Sequence, residues 1–199
     1  MADRKRLRWV VDKELELHLL EPEDAETLFA LTQENRAYLR QWLSWVDGVE
    51  SIWDIRRYIH SSNRQMEENR GFQTTLRYRG GMAGIVGYQS VDWINRSATL
   101  GYWVAARFQG KGLVTRSCET LIDWGFERWG LNRVEIRCAR DNHRSRAIPR
   151  RLGFVREGVA REAEWLHDHF SDLIVYGRLA RDWPGIRERS KEQTQAMER

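Results

Sequence analysis

The residues with the most evident chemistry lie between Gly101 and Arg116, in "GYWVAARFQGKGLVTR". An apolar, aromatic run stops at a loop with two glycines, Gly110 and Gly112, and a helical pattern starts at once. Glycines let a ligand approach the backbone closely, and a helix start presents free N–H groups to an anion. The junction therefore predicts a phosphate-bearing ligand. Backbone N–H groups from Gln109 to Gly112 would meet it at the positive end of a helix dipole, with Arg107, Lys111 and Arg116 adding charge. Two phosphate motifs do not fit. A P-loop needs GxxxxGK[ST], and a dinucleotide fingerprint needs a third glycine where Thr115 stands. That fold also wants an acid at the end of the next strand, whereas Glu135 comes early in "RVEIRCA" and antiparallel hairpins precede the loop.

Other reactive side chains read as inert. Cys118 and Cys138 have no CxxC or zinc spacing and fall on apolar periodic faces, which predicts buried thiols. His167 and His169 alternate across a turn and could share a strand face as metal ligands. No third ligand has plausible spacing, so the expectation is two solvent-exposed histidines and no metal.

The elements that must position the loop follow from periodicity. "LELHLL" (Leu15–Leu20) alternates as a strand and ends at Glu21-Pro22, a helix start. Glu23–Thr32 is helical, and "YLRQWLSWVD" (Tyr38–Asp47) is a short helical or looped segment. Ile52, Ile55, Ile59 and Met66 share a helix face that Gly71 stops. "FQTTLRY" and "MAGIVGY" flank Arg79-Gly80-Gly81 as a hairpin, and "ATLGYWV" is a further strand. Leu113–Trp129 is the strongest helix pattern, with Gly130 as its stop. "RVEIRCA" is a strand, Asn142–Leu152 a short helix ended by Gly153, and two strands around Phe154–Glu164 and Phe170–Leu179 close the pattern. The order predicts an α+β domain over residues 1–183, a mixed, mostly antiparallel central sheet flanked by helices. Residues 184–199 read as a charged, frayed tail.

Bulk properties exclude several classes. The 199 residues suit one domain with a real core. With 31% charged and 11% aromatic residues, the composition is globular and not disordered. The net charge of +4 leans towards acidic partners or phosphate ligands. The charged start lacks the apolar stretch of a signal peptide, and no run approaches the ~18 apolar residues that span a bilayer, so the expectation is a cytoplasmic protein without membrane association.

With these elements in place, "RFQGKG" before a long helix resembles the (R/Q)xxGx(G/A) pyrophosphate loop of the GNAT superfamily of acyl-CoA-dependent N-acetyltransferases. "RDNHRSRAIPRRLGF" (Arg140–Phe154) resembles that family's second conserved block, about 30 residues on. "YLRQWLSWVD" and "REAEWLHDHFSDLIVYGRL" (Arg161–Leu179) are similar to segments of the RimJ/RimL type, which acetylates the N-terminal amine of ribosomal proteins. The resemblance implies the GNAT fold and acetyl-CoA bound across Trp103–Thr115. Trp103 and Val104 would pair with the pantetheine arm, Gln109, Gly110, Lys111, Gly112, Leu113 and Thr115 would surround the phosphates, and Asn142 would contact the arm.

It also implies the chemistry. The family's general-acid Tyr position holds Pro149, which has no proton to give and interrupts the helix ladder. The Rim-type similarity points instead to Ser145 as acid and Glu164 as base. Glu162 is the fallback base, since alternation would set both on one strand face. In that group the tryptophan segment walls the acceptor cleft, although the spacing of Trp42 and Trp45, helical neighbours that share a face, predicts one of them in the core.

The implied function is acetyl transfer to a primary amine, foremost a protein N-terminal α-amine, an acidic ribosomal protein being one acceptor. The alternatives are a small-molecule or polyamine acetyltransferase, an acyl-CoA-binding regulator and a basic nucleic-acid-binding module. The dispersed basic residues and the lack of a recognition motif argue against the last. The oligomeric state is left open, a homodimer included.

Overall fold

The computed structural model describes residues 7–184. The tail expected beyond Pro184 lies outside the described residues. An open sheet of eight strands runs in the order β1-β2-β3-β4-β5-β6-β8-β7. The strands are β1 Arg8–Val10, β2 Leu15–Leu19, β3 Phe72–Tyr78, β4 Gly81–Asp92, β5 Ser97–Val104, β6 Arg133–Ala139, β7 Val155–Leu166 and β8 His169–Leu179. Every pairing is antiparallel except β5 with β6.

The helices are α1 Ala25–Glu34, α2 Arg36–Arg40, α3 Ile52–Glu67, α4 Leu113–Arg128 and α5 His143–Arg151. Strand alternation assigns them to two faces. On β4, Ile85 points to a core with Leu28 of α1 and Ile55 and Ile59 of α3. Val86 and Tyr88 point to the opposite core, with Cys118, Leu121 and Ile122 of α4. Gly125 lets α4 come this close, because a Cβ there would meet the Tyr88 hydroxyl at 2.2 Å. That hydroxyl donates to the Leu121 carbonyl at 2.7 Å and is satisfied in the core.

Helix and strand bounds match the periodic pattern closely. The β3–β4 turn is two residues, Arg79 and Gly80, both at positive φ, and Gly81 already pairs with Tyr78. Both cysteines are buried, as the pattern implies. The charged start hides β1, whose register on β2 is backed by Trp9 stacking on Phe72 at 5.5 Å.

Candidate active site

The sheet parts in its middle. β5 and β6 pair only over Ser97–Thr99 and Arg133–Glu135. Beyond that point β5 stays with β4 as far as Val104, and β6 stays with β8 as far as Ala139. A bulge in β4 between Tyr88 and Ser90 lies opposite Leu100 and Thr99, where the parting begins. Bulges add local twist and re-aim a strand. A cleft of about 950 Å³ fills the gap, bordered by Gly101–Val104 on one side and Arg137–Ala139 on the other. The free edge at Trp103 and Val104 can take an extended, amide-bearing chain as an added strand.

At the end of β5 a single 3₁₀ turn, Ala106–Phe108, leads into the glycine loop. The Ala106 N–H is held by the buried Asn35 side chain at 2.8 Å. Gly110 and Gly112 lie at φ +74° and +70°, a region costly for residues with a Cβ. Gly112 is the N-cap of α4 and brings no side chain to cap it, so the first-turn N–H groups face the cleft uncovered. This donor set suits a pyrophosphate.

Two details differ from the sequence expectation. The Gln109 N–H is already spent on the Ala106 carbonyl at 3.2 Å, so the free donors start at Gly110. Of the expected cations, Arg107 is paired with Glu34 and lies over the Phe108 ring, Arg116 is paired with Asp12, and Lys111 is exposed at the loop tip. The Gln109 side chain instead accepts from Arg144 at 2.7 Å, tying the loop to α5.

Helix α5 carries Ser145 into the same cleft. Asn142 is its N-cap, accepting from the Ser145 N–H at 3.0 Å, so its side-chain oxygen is committed to the helix start. Pro149 does not end the helix, which continues to Arg151. Lacking an N–H, it leaves the Ser145 carbonyl without its i+4 donor. The Tyr102 hydroxyl takes that place, donating to the carbonyl at 3.0 Å. The Tyr102 oxygen then lies 3.3 Å from Ser145 Oγ, and Cys138 Sγ lies 3.2 Å from it. Burial holds the Tyr102 phenol far above its ordinary range and raises the Cys138 thiol, so both stay protonated. Ser145 thus sits in a neutral, hydrogen-bonded trio.

Glu164 faces the cleft from β7. Burial raises its carboxyl from its ordinary value. Glu162 does not share its face. β7 bulges between Ala160 and Glu164, Glu162 lies at φ +48°, and its N–H bonds the Asp172 carboxylate at 3.0 Å. The extra residues cancel the alternation on which a shared face depended.

The tryptophan segment closes the other side. Trp42 and Leu43 line the cleft, and Trp45, 41% exposed, leans on Trp103 with ring centroids 6.3 Å apart. Neither tryptophan is core. His167 is also not exposed: its side chain is 8% accessible and bonded on both nitrogens, whereas His169 is 63% accessible. Among the described residues no group of three or more His, Cys, Asp or Glu is placed to hold a metal.

Sequence reasoning missed Tyr102. Its signal was available, since in "LGYWV" it alternates with the buried Leu100 and so points into the sheet's packed face.

This fold coincides with that of a known family. Residues 14–155 match the acetyltransferase (GNAT) domain model, and the chain belongs to that family as an acetyl-CoA-dependent N-acetyltransferase. It is 38% identical to YdaF of Bacillus subtilis, named as a candidate ribosomal N-acetyltransferase, over 88% of this chain and 96% of that one. A solved structure of RimL, a ribosomal L7/L12 alpha-N-protein acetyltransferase bound to coenzyme A through a cysteine disulfide, superposes with a TM-score of 0.83. It is 29% identical, covering 85% of this chain and 96% of its own. The microcin C7 self-immunity acetyltransferase MccE, solved with acetyl-CoA and AMP, gives 31% identity and a TM-score of 0.81 over 85% and 94% of the two chains.

Proposed function

We propose that this enzyme acetylates the N-terminal α-amine of a protein, an acidic ribosomal protein being the acceptor class that suits it best. The carrying observation is the half-buried Glu164, its carboxyl raised by burial, in the same cleft as the open β5 edge and Ser145. Trp103 and Val104 receive the pantetheine amides, and N–H groups from Gly110 to Thr115 meet the pyrophosphate. Asn142 borders the arm through its remaining amide N–H.

An α-amine has a reference pKa of about 7.7–8.0, against about 10.4 for lysine, so near neutral pH it needs only a modest base. As the amine nitrogen attacks the thioester carbon, the N–C bond forms and the nitrogen gives its extra proton to Glu164. The C–S bond breaks and the departing sulfur takes a proton from Ser145, which solvent restores. The names of YdaF and RimL support a ribosomal acceptor, and the exposed Arg144 and Arg151 at the cleft support an acidic one. Such an enzyme works in the cytoplasm, where acetyl-CoA and ribosomal proteins meet. Among the described residues no helix is long and apolar enough to cross a membrane.

The test is acetyl-CoA turnover with N-terminal peptides of acidic ribosomal proteins, the same peptides blocked at the α-amine, and spermidine, followed by thiol release and product mass. Acetylation confined to free α-amines is expected. Turnover with spermidine alone would replace this reading with the polyamine one.

A further inference from the structure

The β7–β8 hairpin and the tryptophan segment form two separate walls of the cleft, one carrying Glu164 and Leu173, the other Trp42 and Leu43. One side chain bridges them. His167 lies at the hairpin tip, and its Nε2 is 2.8 Å from the Arg40 carbonyl at the end of α2. Its Nδ1 is 2.8 Å from the Asp47 carboxylate in the 3₁₀ turn Ser44–Gly48.

Both partners only accept. A carbonyl has no proton to give, and Asp47 is kept ionised: Arg40 holds its carboxyl below the usual range, donating through Nε at 2.8 Å, with further help from His167 and Arg36. A neutral imidazole has one donor nitrogen, so it can serve one of these partners and must turn a lone pair on the other. Only the imidazolium satisfies both.

The backbone sets the ring at the hairpin tip. Asp168 N–H bonds the Leu166 carbonyl at 2.7 Å across His167, whose φ is +62°. His167 and Asp168 are the two-residue turn between the paired Leu166 and His169, and a positive φ at the first turn residue is the usual geometry of such a hairpin. The remaining charges at the junction are Arg36 and Arg40 on the α2 side and the Asp168–His169 pair, at 2.7 Å, on the hairpin.

We propose that His167, as an imidazolium, is a positioning residue that latches the two walls and so sets the width of the acceptor subsite. The assignment of that subsite rests on the acetyl-transfer reading above; the double donation by the ring does not. Losing either of the two bonds loosens the acceptor wall while the coenzyme half of the cleft, built on β5 and α4, stays as it is.

The experiment measures KM for acceptor peptide and for acetyl-CoA at an acid and an alkaline pH, for the wild type, His167→Gln and His167→Ala. Gln keeps a donor near the Nε2 position and lacks the one facing Asp47. At the acid end, acceptor KM should rise about fivefold in His167→Gln, the worth of one partly exposed ion pair, and further in His167→Ala. Acetyl-CoA KM should not move. At the alkaline end the wild type should converge on His167→Gln. The ring nitrogens of labelled His167, followed by NMR in the free protein, should show both protonated at the acid end. Equal acceptor KM in all three proteins, or KM for both substrates shifting together, would overturn the latch. So would a neutral ring at the acid end. If no peptide is acetylated, the functional reading fails and the ring nitrogens alone decide whether the latch exists.

Discussion

Pro149 alters the chemistry of its neighbours by something it lacks. The missing N–H frees the Ser145 carbonyl, Tyr102 donates to it, and the phenol oxygen is thereby turned towards Ser145 Oγ. Tyr102→Phe should therefore lower kcat about tenfold, the rough worth of one net hydrogen bond, and leave acetyl-CoA affinity intact. Tyr102→Phe also leaves the Ser145 carbonyl without a donor and should cost stability, a loss that Pro149→Ala should partly offset by restoring the helical N–H. Unaltered kcat in Tyr102→Phe would detach the tyrosine from the reaction. Glu164 carries a stability consequence as well. An acid whose folded pKa is raised favours the folded state most when protonated, and that contribution is lost as pH climbs through the folded value. Near neutral pH Glu164→Gln should thus raise the melting temperature slightly while lowering kcat by about 10²–10⁴-fold and abolishing the acidic limb of the pH–rate profile. Thermal melts and kinetics on one preparation check both signs.

At the scale of elements, the glycine loop was legible because its signal is local: two glycines and a helix start within a few residues. The occupations of Gln109, Arg107 and Arg116 were not, since each depends on a partner distant in sequence or on a turn that residue types do not specify. The same holds for Glu162, where a bulge cancels a valid alternation rule, and for His167, whose partners lie on another wall. β1 escaped because one tryptophan, not a pattern, holds it. A loop defined by backbone conformation makes its own prediction. Nothing lies within 4 Å of a Cβ at Gly112, yet φ is +70°, so Gly112→Val meets strain without a clash. It should cost roughly 1–3 kcal/mol of stability and weaken coenzyme A binding by repositioning the first-turn N–H groups. Calorimetry with coenzyme A reads the second effect, and unchanged affinity would move the phosphate site elsewhere.

For the molecule as a whole, element order made the α+β architecture readable, because the switch from a period of 3.6 to a period of two marks where helices yield to hairpins. The charge balance of +4 is a whole-chain property too. If it steers an acidic acceptor, kcat/KM for a protein acceptor should fall with added salt while kcat holds, which stopped assays at two ionic strengths resolve. The parting of β5 from β6 has a mechanical consequence. The sheet is two half-sheets joined by three residue pairs, with the proposed co-substrate site in the seam. An extended arm seated there would act as a missing rung, and the protein should stiffen across its width on binding. Amide exchange should slow on both banks together, at residues 100–104 and 136–139, and protection confined to one bank would mean the halves move independently.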